Sequence, residues 1–439
     1  MIRFVVMFCA ALFLAVPAGA AVEIKEVESP GGLKAWLVED HSIPFAALEI
    51  RFRGGASLDM AGKRGAVSLM TYLLEEGAAD KDARAFARAA EELATTLSFD
   101  IGDDALSVSA RFLTENRDAS IALLRSALLE PRFDEDAIER VRGQVISGIR
   151  SDAQDPNDIA GRTMDQIAFG DHPYATSPDG TVESVAALTR DDLIAAHRAV
   201  LARDRIYIGA VGDITEEELA VLMDTLLGDL PETGAPMPDR ADVSIPGGVT
   251  VVPFDTPQSV ALFGQAGIAQ DDPDYFTAIV LNQVLGGGSF ESRLMTEVRE
   301  KRGLTYGVYS YLAPKDLAEV YFGSVSSAND RIAEAIEVIR DEWRKAATES
   351  VTAEELADAK TYMTGAYPLR FDGNGPIARI MVGMQMLDLP VDYIATRNDR
   401  VEAVTLEDAK RVAGELLDPD GLHFVVVGQP VGLESTPAN

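Results

Sequence analysis

The feature that most restricts this chain is that it closes twice in the same way. Leu188–Thr189–Arg190–Asp191–Asp192 opens a helix that is followed by the apolar run Ile206 to Val211 and then Gly212. Val404–Thr405–Leu406–Glu407–Asp408 opens another, followed by Phe424 to Val427 and then Gly428. Thr189 and Thr405 are 216 residues apart, and so are Gly212 and Gly428. A shared offset at two sites points to an internal duplication, so one supersecondary plan has to be built twice. Between the two copies Pro231, Pro236, Pro238 and Pro246 interrupt the hydrophobic pattern, as a linker does. With 439 residues the chain is long enough for two such units.

Inside each copy, strands mix with helices. Leu48, Ile50 and Phe52 alternate with Glu49, Arg51 and Arg53, the period of a half-buried strand. Ile332, Ile336, Ile339 and Trp343 recur at helical spacing, and Thr352 with Glu355 forms a capping box that opens a further helix. Leu304, Tyr306 and Val308 alternate on an expected strand that turns near Pro314–Lys315–Asp316 into a second strand from Glu319. Hairpins among long helices predict an α+β fold: two homologous halves, each a mainly antiparallel sheet with helices packed on one face. The expected boundaries are 21–228 for the first half, 229–249 for the linker and 250–439 for the second half.

Residues 1–20 read as a signal peptide. Met1–Ile2–Arg3 supplies the positive start, Phe4 to Val16 is uncharged and apolar, and Ala18–Gly19–Ala20 offers small residues at a cleavage site. The only cysteine, Cys9, falls within this segment, so the mature chain has neither a disulfide nor a multi-cysteine zinc site. No later stretch reaches about 18 uninterrupted apolar residues, so no membrane insertion is expected after cleavage. These features predict a periplasmic protein of a Gram-negative bacterium. Lys plus Arg number 39 against 71 Asp plus Glu, for a formal charge of −32. Such a surface repels phosphate backbones and argues against nucleic acid as a partner.

The run Gly286–Gly287–Gly288–Ser289–Phe290–Glu291–Ser292–Arg293–Leu294, continued by Glu297–Val298–Arg299–Glu300–Lys301–Arg302–Gly303–Leu304–Thr305–Tyr306, resembles the C-terminal-half signature of the insulinase/pitrilysin metallopeptidases. Ala168–Phe169–Gly170–Asp171–His172–Pro173–Tyr174, with Leu188–Thr189 and Val211–Gly212–Asp213, resembles the first half of the same family. The resemblance implies two α+β halves that close like a clamshell around an unfolded peptide.

Family members that cut peptides carry an inverted zinc motif, H-x-x-E-H, on a helix. Imidazoles at i and i+4 share one helical face and bind one metal, while the glutamate activates its water. Here the matching stretch is Gly62 to Gly77, with Ser68 and Tyr72 at the histidine positions and Thr71 at that of the glutamate. None of the three is an ordinary zinc ligand. The family's distal glutamate has no counterpart, since Arg140 to Ser151 contains no carboxylate. The four histidines, His41, His172, His197 and His423, include no pair within four residues, and His172 reads as part of a structural His-Pro-Tyr turn. No zinc and no other cofactor is expected in this chain.

The second half keeps an arginine and a tyrosine seven residues apart, which in this family bond substrate backbone near the scissile peptide. By position these are Arg299, on a helix, and Tyr306, on the strand after the Gly303 turn. A planar guanidinium and a phenol suit that task. Gly286 to Gly288 lack a following Gly-Lys-Ser/Thr and read as a helix end that permits close backbone approach. The resemblance therefore implies a half-enzyme, which holds unfolded peptide and completes the site of a zinc-bearing partner of the same family. The other readings are a non-catalytic peptide-binding protein and a structural scaffold of the same fold.

Overall fold

The structure, a computed structural model, describes residues 23–437 apart from Ser289; the expected signal peptide, residues 1–20, lies outside the described residues. The first sheet contains β1 (Lys25–Glu28), β2 (Lys34–Glu39), β3 (Phe45–Arg53), β6 (Thr96–Ile101), β7 (Ala105–Leu113) and β8 (Ile206–Gly212); β4 (Gly77–Ala78) and β5 (Lys81–Asp82) form a separate short hairpin. The second sheet contains β9 (Gly248–Pro253), β10 (Gln258–Ala266), β11 (Val308–Lys315), β12 (Ala318–Ala328) and β13 (His423–Gly428). Read from one edge, the first sheet runs β6-β7-β3-β8-β2-β1 and the second β11-β12-β10-β13-β9. The two share strand order and direction. Among the described residues one pairing in each is parallel, β2 with β8 and β9 with β13. The fold is α+β, one mainly antiparallel plan used twice.

Local chemistry repeats with the plan. Thr189 caps the helix Arg190–Val200 through a capping box with Asp192, and Thr405 caps Leu406–Leu416 in the same way with Asp408. Thr352 and Glu355 close a third such box on Ala353–Ala366. In the helix Ile332–Glu349, Ile332, Ile336, Ile339 and Trp343 are all buried against the second sheet. On one face of the first sheet, Leu48, Ile50 and Phe52 share a core with Val67, Met70 and Leu124 of the covering helices.

The opposite faces are where the two halves meet, and sequence pattern alone did not anticipate how. The helix Pro156–Phe169, from the first half, lies across β10 and β13 of the second sheet. Its Ala160, Met164 and Ala168 pack on Val260, Val320 and Val425. Reciprocally, the helix Asn374–Met386 of the second half lies across β3 and β8 of the first sheet, with Ile377, Ala378, Met381 and Met384 against Trp36 and Val211. Gly209 permits this approach: a Cβ there would stand 2.8 Å from the carbonyl oxygen of Ala378. Each sheet thus carries its own helices on one face and a single borrowed helix on the other.

Candidate functional site

The helix Ala66–Tyr72 follows Gly65, whose φ of 92° is the left-handed conformation that suits glycine. Asp59 fastens this end by accepting from the backbone N–H groups of Gly65 and Val67, both at 2.8 Å. Ser68 and Thr71 are fully buried and Tyr72 is partly exposed. Ser68 and Tyr72, one turn apart on one helical face, aim at the same target, as two ligands of a metal would. The target is a carboxylate: both hydroxyls donate to Oδ1 of Asp179, the tyrosine at 3.3 Å. Thr71 turns its hydroxyl to the carbonyl oxygen of Val67 at 2.7 Å, a bond internal to the helix. Burial, together with the negative charge of Asp179, raises the Tyr72 phenol above its ordinary pKa, so it stays a donor at neutral pH.

Asp179 was missed in the sequence, although Pro178–Asp179–Gly180 is a recognisable turn signal. Its loop is pressed onto the start of the motif helix, backbone against backbone. A Cβ on Gly65 would lie 2.6 Å from the carbonyl oxygen of Asp179, and one on Gly180 would lie 2.5 Å from that of Arg64. The stretch searched for the distal ligand lies on the helix Glu135–Asp152, where Arg140 makes a bidentate pair with Glu76, both bonds 2.7 Å. These residues do not fit zinc. They present hydroxyls already committed to an anionic acceptor, with no imidazole or thiolate. Among the described residues no group of three or more His, Cys, Asp or Glu side chains could hold a metal ion. His172 is a turn residue, as expected: its Nδ1 accepts from the N–H of Tyr174 at 3.2 Å, and its other ring nitrogen lies 3.0 Å from the carbonyl oxygen of Asp239.

In the second half, Arg299 lies in a single π-helical turn, Met295–Glu300, and its guanidinium sits 5.0 Å from the centre of the exposed Phe290 ring. Tyr306 is 89% exposed. It does not lie on a strand, contrary to the alternation of Leu304, Tyr306 and Val308. Gly303 takes a φ of 59°, and Thr305 spends its hydroxyl on the carbonyls of Gly307 and Ser326, at 2.8 and 2.7 Å. Pairing therefore begins only at Val308. Among the described residues no hydrogen bond or ion pair engages the Arg299 guanidinium, and none joins it to Tyr306. Gly286 allows the close approach expected of it, since a Cβ would stand 2.4 Å from Oγ of Ser310.

Two α+β halves of one plan and a motif helix without zinc ligands make this chain similar to the insulinase-type (M16) peptidases, and the comparisons with known proteins agree. The family model described as "Peptidase M16 inactive domain" matches residues 187–363. The chain is 26% identical over 390 residues to the non-peptidase homolog YmxG of Helicobacter pylori, which covers 89% of this chain and 90% of that protein. It is also 26% identical over 412 residues to an uncharacterized zinc protease of Streptomyces coelicolor, covering 90% and 87% of the two chains. The crystal structure of a peptidase M16 inactive domain from Pseudomonas fluorescens superposes with a TM-score of 0.87 and 27% identity, covering 94% of this chain and all of that one.

Proposed function

We propose that this chain is the peptide-holding subunit of a two-chain zinc metallopeptidase, exported to the periplasm and completed by a zinc-bearing partner of the same family. The observation that carries the reading is a contrast within one chain. The motif helix is tied to Asp179, while among the described residues no side-chain hydrogen bond engages the half-buried Arg299 or the exposed Tyr306. In this reading zinc and its activated water come from the partner, and this chain steadies the substrate backbone with the guanidinium and the phenol. The relative called a zinc protease supports a partner of this fold. The division of the mature chain at residues 229–249, and cleavage of residues 1–20 on export, belong to the same proposal.

The test is peptide hydrolysis by this chain co-expressed with an exported relative that carries an intact inverted motif. Arg299→Ala in the assembled pair is expected to lower turnover roughly a hundredfold, the loss typical of one preorganised donor, while gel filtration shows unchanged assembly. Arg299→Lys should recover only part of it, because a point charge does not reproduce the planar fork. Normal turnover from an assembled pair bearing both Arg299→Ala and Tyr306→Phe would overturn the assignment. The relative named a non-peptidase homolog favours a second reading, a peptide-binding protein that acts without catalysis. Recovery of the chain from its host with no zinc-bearing partner would select that reading.

A further inference from the structure

The duplication supplies an internal control for every position in the two sheets. On the face that receives the borrowed helix, Glu49 pairs with Gly209 on one side and Ser109 on the other. The register-equivalent residue in the second sheet is Leu262, between Val425 and Ser324. Around it the second sheet carries Val260, Gly264 and Phe322, whereas the first carries Ala47, Arg51 and Ser107. The borrowed helix Pro156–Phe169 seals its apolar face with Val260, Phe322 and Val425. Its counterpart Asn374–Met386 lies over β8 and β3, and beside it an open cavity of about 390 Å³ is lined by residues of β3, β7 and β6.

The fold does not need charge there, since the other copy of the same design places Leu at the position of Glu49. Yet Glu49 is only 3% exposed, and burying a carboxylate costs free energy unless its partners repay it. Its partners are Ser109, which donates to it at 2.5 Å, and Arg51, whose Nε is 3.7 Å away. That Nε is buried and has no hydrogen-bond acceptor. At the mouth, Arg111 and Arg379 flank Gly375: a Cβ on Gly375 would lie 3.7 Å from Nε of the first and 3.6 Å from Nη1 of the second. Three guanidiniums thus face two carboxylates, Glu49 and Asp100, in a protein whose overall charge is strongly negative. The local excess is of donors and of positive charge, beside hydroxyls of Ser98 and Ser107.

We propose that this cavity binds a short peptide by its free α-carboxylate, with Arg111 and Arg379 taking the carboxylate and Arg51 a backbone carbonyl. Paired guanidiniums suit a carboxylate because each offers a planar fork of donors. The volume is that of a small-ligand site. The choice of a peptide rests on the peptide-holding reading above; the need for an acceptor rests on the cavity alone.

The experiment is calorimetry on the whole mature chain without any partner, using tri-alanine as the free acid and as the C-terminal amide. The acid is expected to bind, and the amide about tenfold more weakly or not at all. Arg111→Gln and Arg379→Gln, at the exposed mouth, should each weaken the acid by about tenfold while leaving the thermal unfolding temperature unchanged. Equal binding of acid and amide would overturn the proposal, as would wild-type affinity in the doubly substituted chain or no binding of the acid at millimolar concentration. Such a failure would leave the two-chain hydrolysis assay untouched. Conversely, a chain that binds tri-alanine acid yet supports no hydrolysis with any partner would retain the cavity and lose the half-enzyme.

Discussion

Ser68 and Tyr72, which the family resemblance sets at the histidine positions of the inverted motif, share one face of the helix Ala66–Tyr72. Their side chains still converge, but as hydroxyl donors to the carboxylate of Asp179, and two hydroxyls with a single carboxylate are not a zinc ligand set. Restoring the motif by Ser68→His, Thr71→Glu and Tyr72→His is therefore expected to fail. Ser68 and Thr71 have no exposed surface, so larger side chains there overpack the core, at a typical cost of 1–3 kcal/mol. The distal ligand would still be missing. Metal analysis of the triple variant should find no tight zinc, and thermal unfolding should find it less stable; one tight zinc per chain would contradict this. The placing of Ser68, Thr71 and Tyr72 on one short helix was legible in the sequence. Asp179 was not, because it lies more than a hundred residues along the chain, and only the fold sets it against the helix. Tyr306 was misplaced for a local reason: alternation of three residues cannot register that Thr305 diverts its hydroxyl to two carbonyls.

Among the secondary elements, caps were the most readable features, since each depends on residues three apart. The helix Ala353–Ala366 illustrates their energetic weight. Burial alone would raise the pKa of Glu355, but bonds from Arg293 at 2.6 and 2.7 Å and from the N–H of Thr352 at 2.7 Å bring it down to about 2. A carboxylate with a depressed pKa contributes stability that is present above its unfolded value of about 4.5 and lost as pH falls toward 2. Arg293→Ala should therefore lower the unfolding temperature at pH 7, with the difference from the native chain narrowing between about pH 4.5 and 2. A difference independent of pH would show that the arginine matters only through packing. The borrowed helices were invisible at this scale. An amphipathic helix announces that it has an apolar face, and nothing in its period says which sheet will receive it. Gly209→Val tests that contact: the equivalent residue is Val425, but here the added atoms meet the backbone of Ala378. A loss of about 1–3 kcal/mol is expected in chemical denaturation, and a neutral result would mean the helix shifts freely.

At the scale of the molecule, the duplication was evident from one repeated offset, whereas the reciprocal covering of the sheets required coordinates. That covering makes a definite claim about cooperativity. Each sheet presents apolar residues that the other half covers, Val260 and Val425 under Met164 and Ala168 in one direction and Trp36 and Val211 under Ile377 and Met381 in the other. If the chain is divided within the linker, each piece expressed alone should aggregate or fold poorly, while co-expression should recover a complex that unfolds in one transition. Two separate transitions in the intact chain would refute this. A single repeat with this design has no second half from which to borrow, so its bare sheet face could be closed only by the same helix from a sister molecule. The same exchange between two copies of one repeat would make a domain-swapped homodimer, and the present chain holds both sides of such an exchange within one molecule.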